Sequence, residues 1–371
     1  MRASLRSRRV GQAIAFLAAA ALTVLALAAP VAAAPKTAYK VTRLTANPPN
    51  PAANPDPHLR NGWGLDAGPT TPWWVADNQT NLSTLYNASG MPQSLVVNVP
   101  GAPTGLVFNR AFPADFVVSA GGASGSALFL FDGEGGEIRG WNPGVPPPIA
   151  PATTSTDTEV GFNSPDGAIY KGLAIATNPS RLYATDFHNG RVDVFDGSFT
   201  PINTPGAFTD PNLPAGFAPF GIQNIGDQIF VTYAKQDADA EDDVAGQGLG
   251  FVDVFDRNGV LLDRVAQRGQ LNAPWGLAMA PDDFGTYSGD LLVGNFGDGN
   301  INAFTQNVNG TWRPAGQLRG ADQKPIKIDG LWALQFGHGA LANNGPRNTL
   351  FFTAGPNDEN DGLFGSITAS P

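Results

Sequence analysis

Carboxylate and amide side chains recur at a fixed distance from an aromatic residue in this sequence. Four of them stand nine residues before the aromatic, namely Asp77, Asp132, Asp186 and Asn295. If their oxygen atoms converge, they suit Ca²⁺, which takes roughly 6–8 oxygen ligands, or the hydroxyl groups of a sugar. His188 follows Asp186 closely, and histidine is the side chain most often used for acid–base catalysis. We therefore predict His188 and Asp186 as catalytic residues, either of which would act as the base.

A second set of oxygen ligands is packed into one short segment. Five acids fall within the seven residues 237–243. The pattern resembles a calcium loop, but Asp242 and Gly248 stand where an EF-hand requires Gly and Glu. An EF-hand is excluded, and an irregular calcium site remains, with the candidate ligands Asp237, Asp239, Glu241 and Asp243. The alternative is a solvated acidic loop.

These residues belong to repeated β-hairpins. Segments such as WWVADNQTNLSTLYNASG and RLYATDFHNGRVDVFDGS each show an apolar strand, a short polar turn and a second strand. A Gly followed by Leu or Ile precedes each hairpin, at Gly64, Gly105, Gly172, Gly221, Gly276 and Gly330. Repetition every roughly 40–50 residues is typical of a propeller. We predict an all-β fold, a single six-bladed β-propeller over residues 35–371.

The two ends of the repeat predict how the ring closes. The last unit runs out of chain after its third strand, near Ile367, and an unassigned strand-like run lies at 39–45. Pairing the two would complete the last blade and remove exposed edges. A seventh blade would fit only between Gly105 and Gly172. The Pro/Thr-rich segment NPGVPPPIAPATTSTDT in this span lacks a hairpin pattern, which predicts a surface insertion instead.

In a propeller, the starts of the inner strands and the turns between second and third strands share one end of the channel, where ligands usually bind. The residues before each Gly are Trp63, Thr104, Lys171, Phe220, Trp275 and Asp329. We predict ligand contacts from Trp63, Lys171, Phe220, Trp275, Asp77, Asn78, Asp132 and Asn295. The alternatives are turn capping by the Asp and Asn residues and packing of Trp63 and Trp275 between blades.

Composition narrows the class of partner. Residues 1–34 have the basic, apolar and small-residue parts of a signal peptide, which predicts a secreted or periplasmic protein. Removing them leaves 18 basic and 32 acidic residues, a charge of −14. This charge disfavours nucleic acid and anionic membranes. We expect a monomer that binds a small molecule or carbohydrate, and Ca²⁺ is the one candidate cofactor. The absence of Cys excludes disulfides and thiol catalysis.

Several long motifs resemble a known family. NGWGLDAG, YKGLAIA, LYATDFHNGRVDVFD, LLVGNFGDGNINAF and DGLWALQFGHG are similar to a family of secreted bacterial proteins of uncharacterised function. More distantly, the blades resemble NHL-repeat propellers. The resemblance covers roughly residues 39–368 and implies the fold and export, and it transfers no catalytic residue.

Three functions remain open at this level. The first is an exported propeller that binds a sugar-like or cation-associated ligand at its channel mouth. The second is a Ca²⁺-assisted lactonase or esterase-like hydrolase, or a lyase, and the third is a protein-interaction scaffold. Propellers host all three, so the fold alone does not choose among them.

Overall fold

The computed structural model describes residues 37–370, which fold almost entirely into β-strands. This part of the chain holds no α-helix and two short 3-10 turns, Asn78–Thr80 and Gly285–Tyr287. No helix within it is long and apolar enough to cross a bilayer. The predicted signal peptide, residues 1–34, lies outside the described residues.

Six sheets follow one another along the chain and form six blades around a central channel. The strands of each blade are given from inner to outer. The first blade is Gly62–Asp66, Trp73–Asp77, Leu82–Tyr86 and Pro92–Asn98. The second is Pro103–Phe108, Phe129–Gly133, Glu137–Trp141 and Glu159–Asn163, and the third is Tyr170–Ala176, Arg181–Asp186 and Arg191–Asp196. The fourth blade is Phe217–Ile225, Gln228–Lys235, Phe251–Phe255 and Leu261–Gln267. The fifth is Pro274–Met279, Leu291–Asn295, Ile301–Gln306 and Trp312–Gln317. The sixth is Leu331–Phe336, Thr349–Ala354, Leu363–Ser370 and Ala38–Ala46. The predicted six-bladed propeller is confirmed.

Apolar side chains fill the spaces between the blades. Each inner strand contacts the inner strand of the next blade, and the sixth contacts the first. Six hydrophobic clusters lie in the described residues, one between each pair of neighbouring blades, and a seventh lies in the channel. Burial of these side chains on both faces of each blade is the main force holding the ring together.

The repeated Gly of the inner strands is explained by close approach of neighbouring backbones. A Cβ atom on Gly64 would lie 2.6 Å from the carbonyl oxygen of Thr104 in the next blade. The equivalent atom on Gly105 would collide with the backbone nitrogen of Leu173, and that on Gly276 with the backbone of the sixth blade. At these positions Gly lets the inner strands pack this tightly around a narrow channel.

The last blade is closed by the N-terminal strand, as predicted. Ala38–Ala46 pairs antiparallel with Leu363–Ser370, with Ala38 opposite Ser370 and Ala46 opposite Leu363. A short strand, Asn54–Pro55, then pairs in parallel with the outer edge. The sixth blade is also tied to the first, since the Thr353 hydroxyl donates to the carbonyl oxygen of Trp63 at 2.5 Å.

The long span inside the second blade contains no seventh blade. A two-stranded hairpin, Val117–Ala120 with Ala123–Ser126, is inserted between the inner and second strands. Residues 142–158 connect the third and outer strands with bends and turns, and Ile149 within them is exposed. The predicted surface insertion is confirmed, although sequence reasoning missed the additional hairpin.

Candidate functional site

The inner strands begin at the same end of the channel where the second strands end. In the first blade Gly62 pairs with Asp77, so the hairpin tip at 78–81 lies beside the start of the inner strand. We call this the tip end, and the opposite mouth, where the inner strands finish, the basin end. The sequence-predicted site residues of the inner strands and hairpins therefore gather at the tip end.

Six residues, one at the start of each inner strand, surround the channel at the tip end. They are Trp63, Thr104, Lys171, Phe220, Trp275 and Trp332. In the sixth blade the equivalent segment is Trp332-Ala333-Leu334. The repeated Gly of each blade lies against the inner strand of the next blade, and a Cβ atom on Gly276 would contact the carbonyl oxygen of Trp332. The expectation that Asp329 occupies this position is wrong by three residues. Asp329 lies just before the strand and is exposed.

Four of these residues form an aromatic plug, which we define as Trp63, Phe220, Trp275 and Trp332. The ring centroids of Trp63 and Trp332 are 3.5 Å apart and stacked, and Trp275 meets both edge to face. Trp63, Phe220 and Trp332 are at most 3% exposed, whereas Trp275 is half-buried. Beneath the plug the channel holds a space of only about 30 Å³. The channel is therefore closed at this end.

Lys171 is the charged member of the ring. Its side chain is 1% exposed, and its Nζ atom lies 2.5 Å from Glu134 Oε1 and 3.1 Å from Asp242 Oδ1. The ammonium group is also 5.4 Å from the centroid of the Trp63 ring. Burial alone would lower the pKa of Lys171, but the charges of Glu134 and Asp242 raise it overall. A buried ammonium group is tolerated because these carboxylates pair with it.

Two asparagines connect this ion pair to the sixth blade. Asn61 Nδ2 donates to Glu359 Oε2 at 2.5 Å and to Asn78 Oδ1 at 3.3 Å. Asn78 Nδ2 donates to Glu134 Oε2 at 3.0 Å, and Asn61 Oδ1 accepts from Trp332 Nε1 at 2.9 Å. The amides thus fix the orientation of carboxylates that belong to different blades.

The acidic loop of the fourth blade delivers two more carboxylates to the same place. Asp242 pairs with Lys171, and the Oδ2 atom of Asp243 is buried without a hydrogen-bond partner among the described residues. Burial raises the pKa of Asp243 to about 7; Lys171 opposes this shift and Glu359 adds to it. Burial also raises the pKa of Glu359. We call Lys171, Glu134, Asp242, Asp243 and Glu359 the mouth cluster.

A cavity of about 320 Å³ opens beside the mouth cluster. Its walls are Ala245, Phe296, three glycines and the carboxylates Asp329, Asp358 and Glu359. Asp358 is exposed and Glu359 is half-buried. The cavity therefore combines an aromatic face with negative charge, which suits a cationic group.

The remaining predicted calcium ligands do not line this cavity. Asp237 Oδ1 accepts from the backbone N–H of Glu241 at 3.0 Å, and Asp239 and Glu241 are exposed. Within residues 37–370, no group of three or more His, Asp or Glu side chains is arranged to hold a metal ion. The calcium site at Asp237, Asp239, Glu241 and Asp243 stays a prediction.

The two predicted catalytic residues, Asp186 and His188, contact different groups in the structure. Asp186 is fully buried, and its carboxylate accepts from the backbone and side chain of Asn189 at 3.1 and 2.8 Å and lies 3.2 Å from Arg191. Burial raises the pKa of Asp186. His188 is exposed, and its Nδ1 atom lies 3.2 Å from the carbonyl oxygen of Ala240. Asp186 has the geometry of a turn cap, and His188 contacts the acidic loop.

Three other predicted ligand residues are also buried within their blades. Asp132 Oδ1 accepts from the Thr104 hydroxyl at 2.9 Å and from the Gly105 N–H at 2.5 Å. Asn295 Nδ2 donates to the Gln270 carbonyl at 2.8 Å. Asp77 is fully buried, and burial raises its pKa well above the usual range. Asp132 joins two strands of its blade, Asn295 holds the segment before its inner strand, and the carboxylate of Asp77 has no hydrogen-bond partner among the described residues. Asn78 alone of the predicted hairpin-tip ligands reaches the mouth cluster.

Sequence reasoning missed three members of this site. Trp332 was hidden because the sixth unit has Ala333 where the other five have Gly. Asn61 lies just before the first inner strand, outside the repeated positions. The signal that could have found Trp332 is the repeated Trp-x-Leu spacing at Trp63 and Trp275. Glu359 lies in the polar segment GPNDENDG, which gives no hint of which acid turns inward.

Two uncharacterized proteins of Acanthamoeba polyphaga mimivirus are similar to this chain. The first is 32% identical over 342 residues, which cover 89% of this chain and 80% of the viral protein. The second is 32% identical over 339 residues, which cover 89% and 85%. No family model matches the chain.

Solved propeller structures show the same fold at low sequence identity. A Bacteroides thetaiotaomicron protein of unknown function has a TM-score of 0.57 at 10% identity and covers 90% of this chain and 77% of that chain. The PQQ-bound aldose sugar dehydrogenase of Streptomyces coelicolor has a TM-score of 0.52 at 14% identity and covers 90% and 99%. At such identities the likeness concerns the fold alone. Bacterial and secreted membership stays an expectation, whereas the identity and coverage of the viral relatives place this chain in the family of the two uncharacterized mimivirus proteins.

Proposed function

We propose that the protein binds a small organic cation in the cavity at the tip end. One observation carries this proposal: Asp329, Asp358 and Glu359 line the same 320 Å³ space as the ring of Phe296. Carboxylates and an aromatic face together are the usual partners of an ammonium group. A cavity of this volume is of the size that small ligands occupy.

The charge balance of the mouth cluster supports a positively charged ligand. Lys171 contributes one positive charge against the carboxyl groups of Glu134, Asp242, Asp243 and Glu359. Burial is the main cause of the raised pKa values of Asp243 and Glu359, and the charge of neighbouring carboxylates adds to it. A ligand cation would relieve this repulsion, whereas an anion would increase it.

Stacking of a sugar on the predicted aromatic residues is less favoured. Trp63 and Phe220 are 3% and 1% exposed and are engaged in the aromatic plug, so their faces are covered. Only Trp275 and Phe296 keep part of their surface open. Of the two predicted ligand classes, we therefore favour a cation-associated ligand over a sugar-like one.

Hydrolase or lyase activity is the second candidate, and Asp243 is the observation that favours it. A carboxyl group with a pKa of about 7 is suited to general acid–base catalysis near neutral pH. It lies close to a fixed positive charge on Lys171, which could stabilise a developing oxyanion. Asp243 would then take the role predicted for His188 and Asp186. Loss of lactone or aryl-ester hydrolysis in Asp243→Asn would support this candidate.

We also propose that the protein acts outside the cytoplasm, on the basis of the signal-peptide pattern at residues 1–34. Fractionation of cells expressing the full chain tests this. Recovery of the mature protein in the cytoplasm alone would contradict it.

Thermal melting in the presence of choline, spermidine or Ca²⁺ tests the cation proposal. A ligand present at 100 times its Kd stabilises the folded state by about 2.7 kcal/mol, which a melt resolves easily. Asp358→Asn removes one charge from the cavity, and Asp322→Asn, at an exposed site elsewhere, is the matched control. We expect stabilisation by an organic cation that Asp358→Asn weakens and Asp322→Asn does not. No shift at millimolar concentrations of all three would refute the proposal.

A further inference from the structure

The basin end of the channel contains a second cavity, larger than the first. Its volume is about 570 Å³, and it is lined by the ends of inner strands and the turns that follow them. Its polar walls are Arg110, Arg347, His338, Gln223, Asn224 and Gln335. The space of about 30 Å³ in the channel holds little more than one water molecule, so no ligand passes between the two cavities.

The basin has the opposite charge to the tip end. Within residues 37–370, neither Arg110 nor Arg347 has a carboxylate within 4.0 Å, although the chain carries a net charge of −10. The one acid of the lining, Asp66, is 5% exposed, and its two oxygens accept from the backbone N–H groups of Ala67 and Phe108, each at 2.8 Å. Two guanidinium groups thus face the cavity without a counter-charge.

The floor of the basin is a set of hydrogen-bonding side chains. Gln223 Nε2 donates to Gln335 Oε1 at 3.0 Å, and Gln335 Nε2 lies 3.4 Å from His338 Nε2. Asn224 Nδ2 donates to the carbonyl oxygen of Ile175 at 2.8 Å, whereas its Oδ1 atom is buried without a partner among the described residues. The floor therefore presents side-chain amides that can hydrogen-bond to a hydroxyl group.

We propose that the basin binds a small hydroxylated molecule that carries an oxyanion group, either a carboxylate or a phosphate. Arg110 and Arg347 pair with the oxyanion, since guanidinium groups match the geometry of both. The side-chain amides of Gln223 and Gln335 hydrogen-bond to the hydroxyl groups. This site is separate from the tip-end cavity and does not depend on the cation proposal.

Isothermal titration of the full protein with malate and with glycerol 3-phosphate tests the site, with glycerol as the uncharged control. We expect at least one anion to bind, its affinity to fall as salt is raised, and glycerol not to bind. Binding of malate alone would assign a carboxylate, and of glycerol 3-phosphate alone a phosphate. Failure of both anions to bind, or binding of glycerol with equal affinity, would overturn the proposal.

Arginine variants locate the site. Arg110→Gln and Arg347→Gln alter exposed side chains, so we expect unchanged melting temperatures and roughly tenfold weaker anion binding from each. Arg313→Gln, on the outer strand of the fifth blade, is the matched control and should bind as the unaltered protein does. Equal weakening in Arg313→Gln would show a general charge effect and contradict a site in the basin.

Discussion

The Nζ atom of Lys171 lies 3.1 Å from Oδ1 of Asp242, and this contact joins a side chain that is 1% exposed to one that is 76% exposed. Lys171 starts an inner strand of the third blade, whereas Asp242 belongs to the acidic loop of the fourth. The ammonium group thus holds the loop against the channel mouth. The loop cannot leave without separating an ion pair that is buried on one side.

Replacement of Lys171 by Met should destabilise the protein strongly. The remaining carboxylates of Glu134, Asp242, Asp243 and Glu359 would be left without their common counter-charge. Removing one partner of a buried ion pair costs about 3–5 kcal/mol, and urea unfolding measures this loss. Lys324→Met, at a pair that is exposed on both sides, is the control and should cost less than about 1 kcal/mol. A similar small effect in both variants would contradict the structural role of Lys171.

The stability of the protein should depend on pH through Asp243. The pKa of this carboxyl group is 3.8 when free and about 7 when folded, so between these values the folded state binds more protons than the unfolded state. The free energy of unfolding contributed by Asp243 therefore falls as the pH rises through this window. Asp243→Asn should lose less stability than the unaltered protein between pH 5 and pH 8, as measured by urea unfolding. The exposed control Asp322→Asn should leave the pH dependence unchanged.

Addition of one methyl group to the inner strand of the second blade should disturb the ring. The Cβ of Gly105→Ala would collide with the backbone nitrogen of Leu173, and backbone cannot move aside as a side chain can. Overpacking of this kind costs about 1–3 kcal/mol or more. At Gly144 the nearest atom to a new Cβ is 3.6 Å away, so Gly144→Ala should be nearly neutral. Equal melting temperatures for the two variants would show that the inner strands can move apart to accommodate the added methyl group.

Removal of the closing strand should expose the sixth blade. Deleting residues 1–46 removes the partner of Leu363–Ser370 and leaves a row of unpaired backbone groups, which favours aggregation. Light scattering on heating measures this effect. Deletion of residues 1–36 keeps every described strand and serves as the control. Equal scattering from both deletions would contradict the closure.

The sequence predicts the scaffold better than the site because hairpins and inner strands obey a repeating pattern. Gly64, Gly105 and Gly276 follow from packing between neighbouring blades, so they recur with the blades. The mouth cluster does not repeat in this way. Lys171 and Glu359 come from different blades, and Asp242 comes from the acidic loop, an insertion found only in the fourth blade. Asp242 and Asp239 look alike in sequence, yet only Asp242 reaches Lys171.

The pairing of Ala38–Ala46 with Leu363–Ser370 also sets the order of events during synthesis. The first of these strands leaves the ribosome long before its partner exists, so it must wait unpaired while the other blades assemble. Contacts between such distant segments form late and slowly. The nascent chain therefore stays an open arc until the last blade has been translated.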